Sequence, residues 1–192
     1  MALVTSPVVM WHGSHRWQAP PEVRPSNPQS SEHGPGIYMT TSVETARTYA
    51  KGGGRLVRFE IDSDIVLIDD VRVPLADAVQ FARSRPRLRE RSEIIRDLET
   101  NSKRTREGQI NAEVLLNLFV NYRSITGEHG PALARFFVDH GIDAAAVMRG
   151  LDDWLVLFNP KAIRSWRVVP AGQAEDAPRL VGRVGRFRSS VS

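Results

Sequence analysis

The chain has 192 residues, 41% hydrophobic and 25% charged, the proportions of an ordinary soluble globule long enough to bury one sizeable core. It holds no cysteine, which excludes disulfides, thiolate catalysis and any Cys-ligated zinc or iron–sulfur centre. Lysine and arginine outnumber the acids 26 to 22, a net charge of +4 carried mostly by arginine, which suits a phosphate-bearing partner as well as a solvated basic surface.

The apolar start "MALVTSPVVMWHG" lacks a positively charged n-region and is broken by Pro7, so no signal peptide is expected. No run of 18 apolar residues is present to span a membrane, and a cytoplasmic location is the expectation. Within residues 1–13, "PVVMWHG" predicts a short strand from its β-branched and aromatic character. Residues 18–36, "QAPPEVRPSNPQSSEHGPG", are rich in Pro, Ser and Gly and predict a loop of a length that is usually functional or disordered. "GIYMTT", 36–41, predicts a second strand. In "SVETARTYAKGGG" Ser42 is a good helix N-cap, Glu44 sits in the first turn, and Gly52 to Gly54 end the helix. "RLVRFEIDSDIVLID", 55–69, predicts one long strand or two short ones, with Val57, Phe59 and Ile61 alternating against Leu56, Arg58, Glu60 and Asp62.

Apolar residues three and four apart predict helix over 75–140, stopped by the glycine after His140. "IDAAAVMRG" and "DDWLVLFNP" predict two strands joined by a tight turn at Gly150–Leu151, and "KAIRSWRVVP" a last strand. From Ala171 the chain is polar, and "RLVGRVGRFRSSVS", 179–192, with four arginines and no acid, predicts a mobile tail attractive to nucleic acid. The order of elements predicts an α+β domain over 1–170, with a helical insertion at about 75–132 and a basic tail over 171–192.

Chemistry concentrates first in "WHGSHRW", Trp11 to Trp17. His12 ends the predicted strand, Gly13 permits close approach of a ligand to the backbone, and Ser14 adds a hydroxyl. A lone histidine there would more often be a surface residue. Tyr38 in its strand and Tyr49 in the following helix offer flat faces for stacking, although either taken singly is more often a core residue. Asp152 and Asp153 open a later strand as a pair of carboxylates. His12 and His15 lack the helical spacing of a cysteine-free zinc site, so no metal is expected. "KGGGR" lacks the Gly-Lys-Ser/Thr ending of a phosphate loop and predicts a turn. The block 83–106 holds nine basic and four acidic residues; it predicts either a solvated helical surface or a phosphate-tracking face, without interleaved aromatics for stacking.

Taken in order, "WHGS", "GIYMTTSVETARTYA" and "HGIDAAAVMRGLDDWLVLFNPKAI" resemble the ADP-ribosyltransferase fold, in the His–Tyr–Glu branch of diphtheria-type toxins and poly(ADP-ribose) polymerases. The resemblance covers residues 8–62 and 133–168 and leaves 63–132 unmatched. It implies a split β-sheet core, NAD as substrate, and a mono-ADP-ribosyltransferase that moves ADP-ribose to a protein or nucleic acid and releases nicotinamide, in the manner of phage or bacterial effectors and toxins. By position it implies that His12 meets a ribose of NAD, Gly13 the nicotinamide carboxamide, and Tyr38 the nicotinamide face. Tyr49 would complete the aromatic clamp, Ser14 would lie beside His12 in the NAD site, and Thr40 would support the Tyr38 strand. Which arginine meets the diphosphate, Arg47 or one from the 18–36 loop, stays open. Counted back from Pro160, the family's glutamate position falls on Trp154, so the catalytic acid is expected from Asp153, turned inward by a bulge, with Asp152 second; otherwise the acid comes from elsewhere in the chain or the domain is an inactive binding module. An RNA 2′-phosphotransferase of the same fold ranks lower, because it relies on several arginines around its histidine and "HRW" offers one. Polyanion contact is expected through 83–106 and the 179–192 tail.

Overall fold

The computed structural model describes residues 7–25, 32–69, 71–100, 105–149, 152–170, 173–178 and 180. Six strands make one antiparallel sheet: β1 (Val8–Ser14), β2 (Ile37–Thr40), β3 (Arg55–Ile61), β7 (Ala144–Arg149), β8 (Asp152–Leu157) and β9 (Ile163–Val169), in the order β7-β8-β2-β1-β3-β9. Residues 8–61 and 144–169 therefore meet in one sheet although some eighty residues separate them in the chain. Strand alternation sorts the side chains to two faces. Val8, Met10, Ile37, Met39, Val57, Phe59, Leu155 and Leu157 share one buried cluster. On the other face Trp11 and Leu56 pack under helix α1 (Val43–Ala50), and Val156 and Ala145 pack into the helical block.

α1 forms as its sequence predicts. Ser42 caps it by accepting a hydrogen bond from Thr45 N at 3.2 Å, and Val43, Ala46 and Ala50 make its buried stripe. It seats on β1 at Gly13, where a Cβ would stand 1.7 Å from the Ala46 carbonyl oxygen. The missing side chain at Gly13 thus serves helix–strand packing.

The block after β3 differs from the expected run of helix. Helices α2 (Leu75–Arg83), α3 (Arg91–Thr100), α4 (Ala112–Asn121) and α5 (His129–Asp139) are interrupted by a small sheet of order β4-β6-β5, from β4 (Arg72–Pro74), β5 (Thr105–Arg106) and β6 (Gln109–Asn111). The β5–β6 hairpin turns on Glu107 and Gly108, both at positive φ (53° and 71°), the backbone of a type I′ turn. "IVLI", expected as strand, is a buried connection with one parallel bridge from Leu67 to Ala144. The predicted Gly150–Leu151 turn lies outside the described residues, while β7 and β8 pair antiparallel on either side of it.

Within the stretch 171–192, expected as a flexible tail, residues 173–178 and 180 form a strap tied to the sheet and to the start of α1. Trp11 Nε1 donates to Glu175 O (2.9 Å), Val43 N to Asp176 Oδ1 (2.7 Å), Ala177 N to Thr41 O (2.8 Å), and Leu180 is buried. Asp176 thereby satisfies a backbone donor at the start of α1 that the helix itself leaves unpaired. Arg179 and residues 181–192 lie outside the described residues, and the polyanion contact expected of them with it. Among the described residues no helix is long and apolar enough to cross a membrane.

Candidate functional site

β1 and β2 pair at Trp11–Thr40, and the ladder is not continued toward Tyr38 and Gly13. His12 fills that gap. Its Nδ1 lies 2.7 Å from the Tyr38 carbonyl oxygen, which only accepts, so Nδ1 carries the proton and donates. That fixes the tautomer and leaves Nε2 as an acceptor on a neutral ring. Burial pushes the His12 pKa below its ordinary 6.5, and the bond to the Tyr38 carbonyl opposes that shift without cancelling it. The ring is held among Trp17 (centroids 5.6 Å apart) and Phe59 (6.3 Å).

Two cavities adjoin at His12 and Tyr38, which line both. The first, about 370 Å³, is walled by Trp11, Gly13, Thr40, Ala46, Tyr49 and Trp154, with Glu32 and His33 contributed by the loop before β2. Tyr49 and Trp154 meet edge to face at 5.4 Å and 83°. Tyr38 ties down the loop that carries Glu32 and His33: its hydroxyl donates to Gly34 O (2.8 Å) and accepts from His33 N (3.1 Å). The second cavity, about 230 Å³, has a largely apolar wall that includes Trp17, Pro21 and Ile37, into which Ser14, Gln18, Glu22 and the two arginines Arg16 and Arg24 are set, Arg24 lying 3.9 Å from Glu22. Ser14 Oγ accepts from Arg16 N at 3.2 Å, and Arg24 donates to Gln18 and to the Pro20 carbonyl, which holds this part of the loop in a fixed shape.

The structure thus brings His12, Gly13, Tyr38, Thr40 and Tyr49 to one cleft, with Ser14 in the adjoining one. It does not bring Asp153 there. β8 runs in unbroken register with β2, Thr40 facing Trp154 and Tyr38 facing Val156, and no bulge turns Asp153 inward. Its side chain shares the Leu155–Leu157 face, fully buried, and its Oδ2 accepts from Leu180 N at 2.6 Å. Asp152 is engaged elsewhere too, as acceptor from Thr45 Oγ1 of α1. Neither aspartate lines the aromatic cavity; the carboxylate that does is Glu32. Of the open diphosphate candidates, Arg24 lines the second cavity and Arg47 a different one; Arg16, which was not among the candidates, lines the second cavity beside Arg24. Glu32, Arg16 and Arg24 carry no periodicity or capping signal, because their placement is set by the fold of an irregular loop.

No protein-family model matches this chain, and no curated protein or solved structure is detectably similar to it.

Proposed function

We propose that this chain is an NAD-dependent mono-ADP-ribosyltransferase with an ADP-ribosyltransferase-like core. The observation that carries the reading is the pair of cavities meeting at His12 and Tyr38, one aromatic and one that holds two arginines, Arg16 and Arg24. A dinucleotide has the same division: a planar ring and ribose at one end, a diphosphate in the middle. The segments that carry the resemblance also assemble into a single sheet, which the unmatched block joins through a parallel bridge from Leu67 to Ala144.

In this reading the nicotinamide lies among Tyr38, Tyr49 and Trp154, and His12 Nε2 accepts a hydrogen bond from a ribose hydroxyl, a role that needs the neutral ring burial favours. Arg16 and Arg24 face the diphosphate. The bond from ribose C1′ to the nicotinamide nitrogen breaks, and its electron pair leaves with nicotinamide. The acceptor's oxygen or nitrogen then bonds C1′, and its proton passes to the Glu32 carboxylate or to water. Positive charge develops on the ribose in between, and a fixed carboxylate stabilises it. Glu32 is the residue we place there, because Asp153 and Asp152 are engaged away from the cleft.

A second reading is favoured by Trp154, which fills with an indole the position the resemblance gives to an acid: the cleft binds a planar ligand and performs no transfer. Titrating NAD into the protein while following tryptophan fluorescence tests the first part, since Trp154 and Trp11 wall the cavity. Saturable quenching is expected in the wild type and a weaker affinity in Tyr49→Ala, whose side chain is exposed and so leaves the core intact. Absence of quenching by NAD rejects the dinucleotide assignment; quenching without any release of nicotinamide leaves the binding module standing.

A further inference from the structure

Among the described residues, Trp17 carries the one rigid buried donor that the fold leaves unused. Its indole is held by three rings, His12 (centroids 5.6 Å apart), Phe59 (5.8 Å) and Trp166 (5.6 Å), the last two opposite each other on β3 and β9. Its Nε1 is buried, and no acceptor among the described residues bonds it. Ser63 Oγ and Arg85 Nε are the other buried polar side-chain atoms without a partner there. A hydroxyl can rotate to find one, and a guanidinium has several other N–H groups; an indole has a single N–H and no other polar atom. Burying such a donor without an acceptor is costly, and folded proteins seldom leave one unmatched.

Trp17 lines the second cavity, and the groups beside it define the acceptor that fits. Ser14 Oγ takes a hydrogen bond from Arg16 N and keeps its own proton to donate. Among the described residues the exposed Arg16 guanidinium makes no ion pair. Arg24, in contrast, is bonded to the Gln18 side chain, the Gln18 carbonyl and the Pro20 carbonyl. Glu22, the carboxylate of this wall, lies 3.9 Å from Arg24 with its side chain 60% exposed. What remains is a neutral N–H, a hydroxyl and a guanidinium, all able to donate, which suits an anionic oxygen rather than another donor. The acceptor beside them is His12 Nε2, which the ribose hydroxyl already uses in the reading above. The wall is otherwise largely apolar, so bonds made there compete little with bulk water.

We propose that Trp17 is a binding residue: its indole N–H donates to a phosphate oxygen seated in the second cavity, beside Ser14 Oγ and Arg16. That this phosphate belongs to NAD rests on the transferase reading; that Trp17 binds a phosphate does not.

The test is two-dimensional NMR of the full chain with nitrogen-15-labelled tryptophan, in which the four tryptophans give four indole N–H signals. The signal lost in Trp17→Phe belongs to Trp17, since phenylalanine keeps a ring against His12, Phe59 and Trp166 and removes only the donor. Should that variant melt early, Trp11→Phe, Trp154→Phe and Trp166→Phe assign the signal by elimination, and the wild-type titration decides. ADP or inorganic pyrophosphate is expected to move the Trp17 signal downfield and saturably, as the N–H gains a charged acceptor. Adenosine, which has no phosphate, should leave it in place. By calorimetry Trp17→Phe should bind ADP about tenfold more weakly, the worth of one hydrogen bond to a charged group. Its salt dependence should stay that of the wild type because the lost donor is neutral, whereas Arg16→Gln should both weaken binding and flatten the salt dependence. The proposal is overturned if neither ADP nor pyrophosphate binds, or if either binds with the Trp17 signal unmoved. It is equally overturned if adenosine moves the signal as far, or if Trp17→Phe binds ADP as the wild type does. Phosphate binding at Trp17 without nicotinamide release from NAD would sink the transferase reading and leave this one in place. Nicotinamide release with a Trp17 signal that NAD does not move would sink this one alone.

Discussion

Gly13→Ala probes the contact on which the aromatic cleft is built. The added Cβ would lie 1.7 Å from the Ala46 carbonyl oxygen, 2.7 Å from its carbon and 2.9 Å from Ala50 N. Non-bonded heavy atoms settle about 3.5 Å apart, so α1 must retreat by roughly 1.8 Å. All three obstructing atoms are backbone, and no side-chain rotamer relieves them. The cost should therefore reach the upper part of the range for overpacking, about 3 kcal/mol. For a chain of this size that corresponds to a fall of about 6–12 °C in melting temperature. Thermal unfolding followed by circular dichroism measures it, with Gly52→Ala as the control, since a Cβ on Gly52 meets nothing within 4 Å. The control should stay within about 0.5 kcal/mol of the wild type. Because Ala46 and Tyr49 ride on the displaced helix, Gly13→Ala should also weaken ligand binding in the cleft. If Gly13→Ala melts with the wild type, or Gly52→Ala is as damaging, α1 is not seated on β1 through Gly13.

His12 should make stability depend on pH. The unfolded ring titrates near 6.5 and the folded ring below it, so between those values the unfolded chain binds more protons. The stability His12 contributes is whole above pH 6.5 and is lost as the pH falls through the folded value; the wild-type melting temperature should drop more steeply over that window than that of His12→Asn, and parallel curves would refute it. Asp153→Ala should cost about 2 kcal/mol, because the buried Leu180 N–H loses its acceptor, while leaving kcat for nicotinamide release unchanged. A large fall in kcat with unchanged melting would return Asp153 to the catalytic role. Asp176→Ala should cost about 1 kcal/mol by removing the acceptor from Val43 N, and limited proteolysis should then cut after residue 170 sooner. Unaltered melting and digestion would mean that the strap is not fastened at Asp176.

Short-range chemistry was the legible part of the sequence. Ser42, Glu44 and the Gly52–Gly54 stop predict α1, and His12, Tyr38 and Tyr49 stand out by residue type at strand and helix positions the structure keeps. Long-range register was not legible. Whether Asp153 or Trp154 faces the cleft depends on how β8 aligns with β2, and one step of slip exchanges them. The strap is fastened by bonds such as Trp11 to Glu175 and Asp176 to Val43, between residues more than 130 positions apart, and its polar composition reads as a tail. Glu32 reaches the cleft on a loop whose path no periodicity encodes. The β5–β6 hairpin had a signal of its own in Glu107–Gly108, weaker than the Asn-Gly or Asp-Gly that usually marks a type I′ turn.

Release of nicotinamide from NAD labelled in the nicotinamide ring is the most direct measure of the central claim. It should be run on the wild type, Glu32→Gln and Asp153→Asn with a mixed RNA, single-stranded DNA and protein acceptor pool. The wild type is expected to release nicotinamide, Glu32→Gln to lose about a hundredfold, as for removal of one transition-state charge partner, and Asp153→Asn to stay near the wild type. No release by the wild type contradicts the transferase assignment, and release that survives Glu32→Gln but is abolished in Asp153→Asn contradicts the placement of the acid.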